Sequence, residues 1–193
     1  MIDTAKMLEV FKRYRDDAIV VPGRGGSHWV NLTDAPSLDA TLGDPAMGGH
    51  AAFGLGIALA QPARRVYLFD SDGDIQMSMG MLTTIAEQAP KNLYHFVLDN
   101  EVYATTGGQP VPNAGRIDYA GIAAAAGYQH ARSYSDLDEL TRELDGIFAT
   151  DGPYFIHLRV RAEIQNEAIG TRKPWNPRER GQVIADLREA LSS

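Results

Sequence analysis

Short apolar runs alternate along this chain with segments in which apolar residues recur at helical spacing. Continuous apolar runs of this length are typical of strands that are covered on both faces. They predict five strands, at 18–21, 66–69, 93–98, 128–132 and 154–160. Helices are predicted around them, beginning with one capped by Asp3 and continuing at 49–60, 75–86, 118–127, 135–148 and 178–191. The alternation predicts an α/β fold with a parallel β-sheet covered by helices on both faces.

Two of the predicted strands, 66–69 and 93–98, are joined by one helix and are followed by acidic or amide residues. The first ends on a predicted acidic turn at 70–74, and the second ends on Asp99-Asn100. Because ligands lie at the carboxyl ends of parallel strands, Asp72 and Asn100 are expected to converge on one ligand. Their oxygens suit Mg²⁺ or Ca²⁺, and Gly73 can leave backbone N–H groups open to a phosphate. Taken alone, Asp72 is more typical of a solvated turn; its spacing from Asn100 favours a site.

Composition excludes several other classes of function. The chain has 193 residues, a net charge of −7 and no cysteine. A chain of this length can bury a sizeable core as one domain. The negative charge argues against a nucleic-acid partner, and the lack of cysteine excludes disulfides, iron–sulfur clusters and thiol nucleophiles within the chain. No apolar run approaches membrane length and the N-terminus lacks a targeting pattern, so a cytoplasmic protein with no membrane partner is expected.

Two segments carry a resemblance to a known family. Val97 to Gln109 reads VLDNEVYATTGGQ, and Ala46 to Pro62 reads AMGGHAAFGLGIALAQP. Together with the segment SDGD at 71–74, they resemble the diphosphate and metal motifs of thiamin-diphosphate enzymes. The likeness is to the cofactor-binding (PP) domain of sulfopyruvate and phosphonopyruvate decarboxylases, from about residue 16 to residue 157. It implies a decarboxylase of a small 2-oxo acid that depends on thiamin diphosphate and Mg²⁺.

The resemblance implies a role for each motif residue. The metal would be held by Asp72, Asn100 and the backbone carbonyl of Val102. Backbone groups of 45–48 would bind the pyrimidine ring of the cofactor, and Met47 would support its bent conformation. The cofactor contacts implied are Gly25, Gly26, Met47, Gly48, Gly73, Asp74, Ile75 and Tyr103. The substrate contacts implied are His28, Thr106 and Gln109.

Two residues depart from the family motif. Ser71 replaces a glycine, and Asp74 replaces a small residue or serine. A carboxylate beside a diphosphate should repel it, so Asp74 is expected to cap the following helix or to face solvent. Arg24, Arg116 and His28 are candidate contacts for an anionic group of the substrate.

The resemblance also implies a partner. Residues 1–162 would form the cofactor-binding domain, and residues 163–193 a C-terminal extension packed on that domain or on a partner. In the family, a glutamate that activates the cofactor belongs to a separate pyrimidine-binding domain. A partner (α) subunit that supplies this glutamate, in an α₂β₂ or larger assembly, is therefore expected.

Three alternatives remain beside the decarboxylase. A carboligase would pass the same intermediate to an aldehyde or ketone, and the departures at 25–28, Ser71 and Asp74 are compatible with it. The β subunit of a 2-oxo-acid:ferredoxin oxidoreductase also carries a TGGQ loop, but many such subunits bind a cluster and this chain has no cysteine. A regulatory subunit that kept the fold would bind no thiamin diphosphate.

Overall fold

A five-stranded parallel sheet forms the centre of the protein in a computed structural model that describes residues 1–42, 47–168, 171 and 176–192. Its strands are β1 (Ile19–Pro22), β2 (Val66–Ser71), β3 (Leu93–Asp99), β6 (His130–Tyr134) and β7 (Tyr154–Arg159). Their spatial order is β1-β2-β3-β7-β6, so the last strand of the chain lies between β3 and β6. A separate antiparallel pair consists of β4 (Val102–Tyr103) and β5 (Gln109–Pro110).

Helices cover both faces of the sheet, which confirms the predicted architecture. On one face, α1 (Thr4–Lys12) and α6 (Leu137–Phe148) pack on a core rich in aromatic residues. On the other face lie α2 (His50–Ala60), α3 (Asp72–Ser78), α4 (Met81–Gln88) and α5 (Tyr119–Ala126). Strands β1, β2, β3 and β7 are almost fully buried, as their continuous apolar runs predicted, whereas the edge strand β6 is largely accessible to solvent.

Several predicted caps and ends are confirmed. Asp3 caps α1 by accepting a hydrogen bond from the backbone N–H of Lys6 at 3.0 Å. Asp118 caps α5 in the same way, and α5 ends at Gly127 with φ +109°. Helix α6, predicted to begin at Ser135, is instead capped by Asp136, whose carboxylate accepts the N–H of Glu139 at 2.9 Å.

The structure corrects three other local predictions. The single helix predicted across 75–86 is two helices, α3 and α4, interrupted at Met79 and Gly80, where a glycine weakens helical structure. Residues 23–28, whose three glycines predict a loop after the first strand, instead lead into a 3₁₀ helix, Arg24–Asn31, which buries Trp29. The acidic turn is absent because β2 continues to Ser71 and α3 begins at Asp72.

The segment that follows β7 packs on the same domain. Residue Val160 forms an isolated bridge with Ile2, and the following segment runs along the carboxyl edge of the sheet. Helix α7 (Arg180–Ser192) buries Val183 and Leu187. Near its start, the side chain of Asn176 donates to the carbonyl of Thr41 at 2.8 Å. The extension is thus attached to the same core as the sheet.

Among the described residues, no helix has both the length and the apolar character needed to cross a membrane.

Candidate functional site

A cavity of about 690 Å³ lies at the carboxyl edge of the sheet, in the position expected for ligands of parallel sheets. Its volume is in the range of small-molecule and cofactor sites. Most of the residues singled out in the sequence line it, namely Gly25, His28, Met47, Asp72, Gly73, Asp74, Asn100, Val102, Tyr103, Thr106 and Gln109. Parts of the protein distant in sequence therefore meet at one site.

Backbone N–H groups hold the side chains of two of the three predicted metal ligands, Asp72 and Asn100. Asp72 is buried at the start of α3, and its Oδ2 accepts the N–H of Glu101 at 2.9 Å. The Oδ1 of Asn100 accepts the N–H of Val102 at 3.0 Å. Glu101 between them has φ +66°, so the chain turns sharply after β3 and returns Val102 to the cavity. Asp72 and this turn are joined by a direct hydrogen bond.

A second carboxylate lies behind Asp72. The Oδ1 of Asp99 also accepts the N–H of Glu101, at 3.1 Å, and its Oδ2 lies 2.9 Å from Nε2 of His157. The other ring nitrogen of His157 lies 2.8 Å from Oγ of Ser133. The sequence did not identify this chain of contacts, although a histidine inside the apolar run of β7 is a signal of a buried polar network.

The two carboxylates differ in their electrostatic surroundings. Burial, followed by the charge of the neighbouring Asp99, raises the pKa of Asp72 to about 8. Burial opposes ionisation of Asp99 as well, but the hydrogen bond and charge of His157 outweigh it and lower the pKa of Asp99. Among the described residues, no cationic side chain forms an ion pair with Asp72. A cation would supply the missing charge compensation.

Gly73 is required by the close approach of an aromatic ring. A Cβ atom built on Gly73 would lie 2.9 Å from Cε1 of Tyr103, a distance that carbon atoms do not tolerate. Both residues line the cavity. The glycine of the motif therefore lets Tyr103 pack directly on the first turn of α3.

Asp74 neither caps α3 nor faces solvent, so that prediction is wrong. The cap of α3 is Ser71, whose Oγ accepts the N–H of Asp74 at 3.2 Å. The Asp74 side chain is buried, and its Oδ1 accepts the N–H of Gly48 at 2.8 Å. Burial raises the pKa of Asp74, but hydrogen bonds from His50 and Gly48 outweigh it and the pKa is lowered.

Four of the named residues lie outside the cavity lining. Ile75 is fully buried in the core, and Gly26 packs against Phe69. Gly48 lies behind the cavity wall, and Arg116 lies in the exposed loop before α5. Positions 45 and 46, whose backbone was predicted to contact a pyrimidine ring, lie outside the described residues.

The three predicted substrate residues occupy the outer part of the cavity. Nε2 of Gln109 donates to the carbonyl of Thr106 at 2.8 Å, so these two residues also close their own loop. Nε2 of His28 lies 2.7 Å from Oε2 of Glu163, in the segment after β7. Ile164 follows Glu163 and packs on Gly108, so this segment forms a wall of the cavity that the sequence did not predict.

A second buried histidine, also unpredicted, supports the end of β2. Nε2 of His95 lies 3.3 Å from Oδ2 of Asp70, and its Nδ1 lies 3.0 Å from the hydroxyl of Tyr128. All three residues are buried. Asp70 is thus a structural member of β2 that does not line the cavity, whereas Asp72 does.

The donor set fits a hard cation carrying a diphosphate. A carboxylate, an amide oxygen and a backbone carbonyl are oxygen ligands of the kind that Mg²⁺ binds. A family model described as thiamine pyrophosphate enzyme, C-terminal TPP binding domain, matches residues 28–158. The chain belongs to this family. All of the residues discussed above from His28 to His157 lie within the matched region.

Named relatives place the chain within this family. A phosphonopyruvate decarboxylase from Streptomyces hygroscopicus is 47% identical over 116 residues, which cover 60% of this chain and 28% of the relative. The chain therefore spans less than a third of that relative's length. A sulfopyruvate decarboxylase subunit beta from Methanothermobacter thermautotrophicus is 35% identical over 163 residues, covering 83% of both chains.

A solved structure confirms the fold. The benzoylformate decarboxylase of Polynucleobacter necessarius superposes with a TM-score of 0.68 and 20% identity, over 83% of this chain and 33% of that one. At this level of identity, the fold is what the two chains share.

Proposed function

We propose that this chain is the subunit of a 2-oxo-acid decarboxylase that binds Mg²⁺ and thiamin diphosphate. The observation that carries the proposal is the presence of Asp72, Asn100 and Val102 on the wall of one cavity at the carboxyl edge of the sheet. The motif spacing, the donor chemistry and the family agree on the same ligand. Bound thiamin diphosphate supplies the electron sink for the carbon that loses carbon dioxide.

The residues of the chain have separate roles in this proposal. Asp72, Asn100 and the carbonyl of Val102 hold the cation, which in turn neutralises the diphosphate. Tyr103 and Gly73 form the wall beside it. Met47, which is 65% exposed at the cavity margin, contacts the body of the cofactor.

We place the substrate in the outer part of the cavity. Arg24, His28 and Arg161 line it there, and their side chains can offset the negative charge of an acidic substrate. A small 2-oxo acid with a second anionic group, of the sulfopyruvate or phosphonopyruvate kind, fits this charge and the names of the relatives.

An uncharged surface beside the cavity supports the proposed partner subunit. Helices α2 and α5 contain no Asp, Glu, Lys or Arg, and α4 contains only Glu87. We call the exposed parts of α2 and α5, with Met77 and the exposed residues of α4 other than Glu87, the uncharged face. Met77 also lines the cavity, so the face is continuous with the site. A surface depleted of charge is typical of the core of a protein interface.

Calorimetry with Mg²⁺ and thiamin diphosphate, on the chain alone and with a pyrimidine-domain subunit, tests the cofactor role. We expect binding that requires Mg²⁺, and carbon dioxide release from sulfopyruvate or phosphonopyruvate only when both subunits are present. Absence of cofactor binding under both conditions would contradict the proposal. Full decarboxylase activity of the chain alone would contradict the partner.

Analysis of the reaction products separates the decarboxylase from a carboligase. The 2-oxo acid is supplied with and without an aldehyde acceptor, in the presence of both subunits. We expect the same aldehyde product under the two conditions. Formation of a hydroxyketone as the main product would assign the chain to the carboligases.

A further inference from the structure

Three buried side chains, those of His50, Asp70 and Asp74, lie together behind the cavity wall. One ligand-type atom from each lies within 4.8 Å of the others. Nδ1 of His50 is 3.5 Å from Oδ2 of Asp74. A buried cluster of this composition is either a metal site or a polar connection between elements.

The hydrogen bonds of the two carboxylates favour a polar connection. Asp70 accepts the N–H of Ser71 at 2.9 Å and lies against His95. Oδ1 of Asp74 accepts the N–H of Gly48, and its Oδ2 accepts the hydroxyl of Ser71 at 2.9 Å. Each of these oxygens already has a partner within the protein, so the two carboxylates of the cluster are satisfied by protein donors.

Asp74 joins two segments that both border the cavity. One is the first turn of α3, which contains the metal-binding Asp72, and the other is the turn at 47–49 before α2. Gly48 in that turn has φ +77°, and a Cβ atom there would lie 3.0 Å from Cβ of Met77. The turn is therefore packed closely on α3 as well as hydrogen-bonded to it.

The two departures from the family motif are partners in this connection. Ser71 accepts the N–H of Asp74 and donates its hydroxyl to Oδ2 of the same residue. The hydroxyl thus fixes the carboxylate that receives the N–H of Gly48. A glycine at 71 and a small residue at 74, as in the family motif, could form neither contact. The two departures therefore depend on each other structurally.

We propose that Asp74 is a positioning residue that fixes the turn at 47–49 and thereby holds Met47 against the cofactor. The carboxylate is engaged by the N–H of Gly48 and the hydroxyl of Ser71, which explains why a negative charge is tolerated two residues from Asp72. The inference rests on the proposed cofactor role of the cavity, and it assigns to Asp74 a function other than direct cofactor contact.

Binding measurements with two probes test this assignment. Thiamin diphosphate occupies the whole site, whereas inorganic pyrophosphate occupies only the diphosphate end, and both are titrated with Mg²⁺. For Asp74→Ala we expect about ten-fold weaker binding of thiamin diphosphate, the equivalent of one lost hydrogen bond, with pyrophosphate binding within about two-fold of the wild type. Asp74→Asn should bind within about three-fold, because its amide oxygen can still accept the N–H of Gly48.

A matched control separates this effect from the loss of any buried or capping carboxylate. Asp118 accepts the N–H of Gly121 at 2.8 Å and does not line the cavity. Asp118→Ala should leave the affinities for both probes unchanged. Unchanged binding of thiamin diphosphate by Asp74→Ala, or equal losses for both probes, would overturn the proposal.

Hydrogen exchange on the ligand-free protein gives a readout that does not depend on the cofactor. The Gly48 amide should exchange at least about ten-fold faster in Asp74→Ala and should keep its protection in Asp74→Asn. Equal protection in all three proteins would overturn the proposal. If the wild type bound neither probe, the cofactor role would fail, while the exchange data would still decide whether Asp74 holds the turn.

Discussion

Asp72 is the residue in which the local electrostatics point most directly to a ligand. It is 1% exposed, it lies next to a second carboxylate, and its pKa is raised to about 8 by burial and by Asp99. Such an arrangement is unfavourable for the empty protein and favourable once a cation is bound. The negative charge of Asp72 therefore favours cation binding but destabilises the folded protein when no cation is bound.

The substitution Asp72→Asn should separate the effect of this residue on cation binding from its effect on the free energy of unfolding. We expect at least about a 100-fold loss of Mg²⁺-dependent binding of thiamin diphosphate, because a charged ligand becomes neutral. The free energy of unfolding should stay the same or rise by about 1 kcal/mol, since one buried carboxylate is removed from the Asp72–Asp99 pair. Calorimetry and denaturant titration measure the two effects. Retention of wild-type affinity would mean that the metal site is elsewhere.

Gly73→Ala tests the close approach of Tyr103. The new methyl group would force the ring away, and we expect a loss of about 1–3 kcal/mol in the free energy of unfolding. Gly146→Ala is the matched control, because Gly146 lies in α6 and its new methyl group would have no heavy atom within 4 Å outside its own helix backbone and chain neighbours. That change should stabilise the protein by about 0.5–1 kcal/mol. Equal effects of the two substitutions would contradict the role of Gly73.

Sequence patterns revealed the residues whose role depends on local spacing. Asp72 and Asn100 follow two apolar runs joined by one helix, and the rule for parallel sheets brings them together. The contacts of His157 and Asp74 depend instead on strand register and on the docking of α2 against α3, which are long-range properties. The misplaced start of α6 has a local reason, because the neighbouring residues Ser135 and Asp136 are equally good caps by type.

At the scale of elements, an ion pair holds the long connection between β1 and α2. Arg15, after α1, donates to Oδ1 of Asp39 at 2.8 Å, and Nε1 of Trp29 donates to the same oxygen at 3.0 Å. Both charged side chains are almost fully buried. The pair ties α1, the 3₁₀ helix and this connection together, so its loss should affect the framework and not only one surface.

Arg15→Met should cost about 3–5 kcal/mol near neutral pH, because it leaves a buried carboxylate without its cation. Burial already raises the pKa of Asp39, and removal of Arg15 raises it further. A raised folded-state pKa favours folding at low pH, and this contribution is lost as the pH rises through it. The deficit should therefore be larger at about pH 8 than at about pH 4.

Denaturant titrations of Arg15→Met at the two pH values measure this difference. The double variant Arg15→Met with Asp39→Asn serves as the control, since it has no buried charge at this site. It should recover part of the lost stability and most of the pH dependence should disappear. A deficit of Arg15→Met that does not change with pH would contradict the role assigned to Asp39.

At the scale of the whole molecule, α6 on one side of the sheet differs in charge from α2 and α5 on the other. Helix α6 carries acidic or basic residues in every turn, whereas α2 and α5 carry none. The total composition does not show this, because 22% of the residues are charged. Only the fold shows that the uncharged helices lie together and next to the cavity.

A charge placed on the uncharged face should disrupt the proposed assembly. Leu59 is 48% exposed on α2, and Leu59→Glu should weaken association with the partner subunit at least about ten-fold. The melting temperature of the chain alone should not fall, because this side chain is not part of its core. Asp138→Lys on α6 changes a charge on the opposite side of the sheet and should leave association with the partner subunit unchanged. Sedimentation analysis decides between these outcomes, and equal association of both variants would place the interface elsewhere.

The position of β7 between β3 and β6 has a consequence for how the protein is made. The other four strands of the five-stranded sheet leave the ribosome before β7, and they cannot form the complete sheet without it. Until residues 154–159 emerge, the facing edges of β3 and β6 have no partner, and unpaired strand edges promote association between chains. Because β7 also carries His157, the same event that closes the sheet brings the partner of Asp99 into place behind the proposed metal site. A nascent chain therefore acquires the strand that joins β6 to the rest of the sheet, and the histidine that supports Asp99, in one late step.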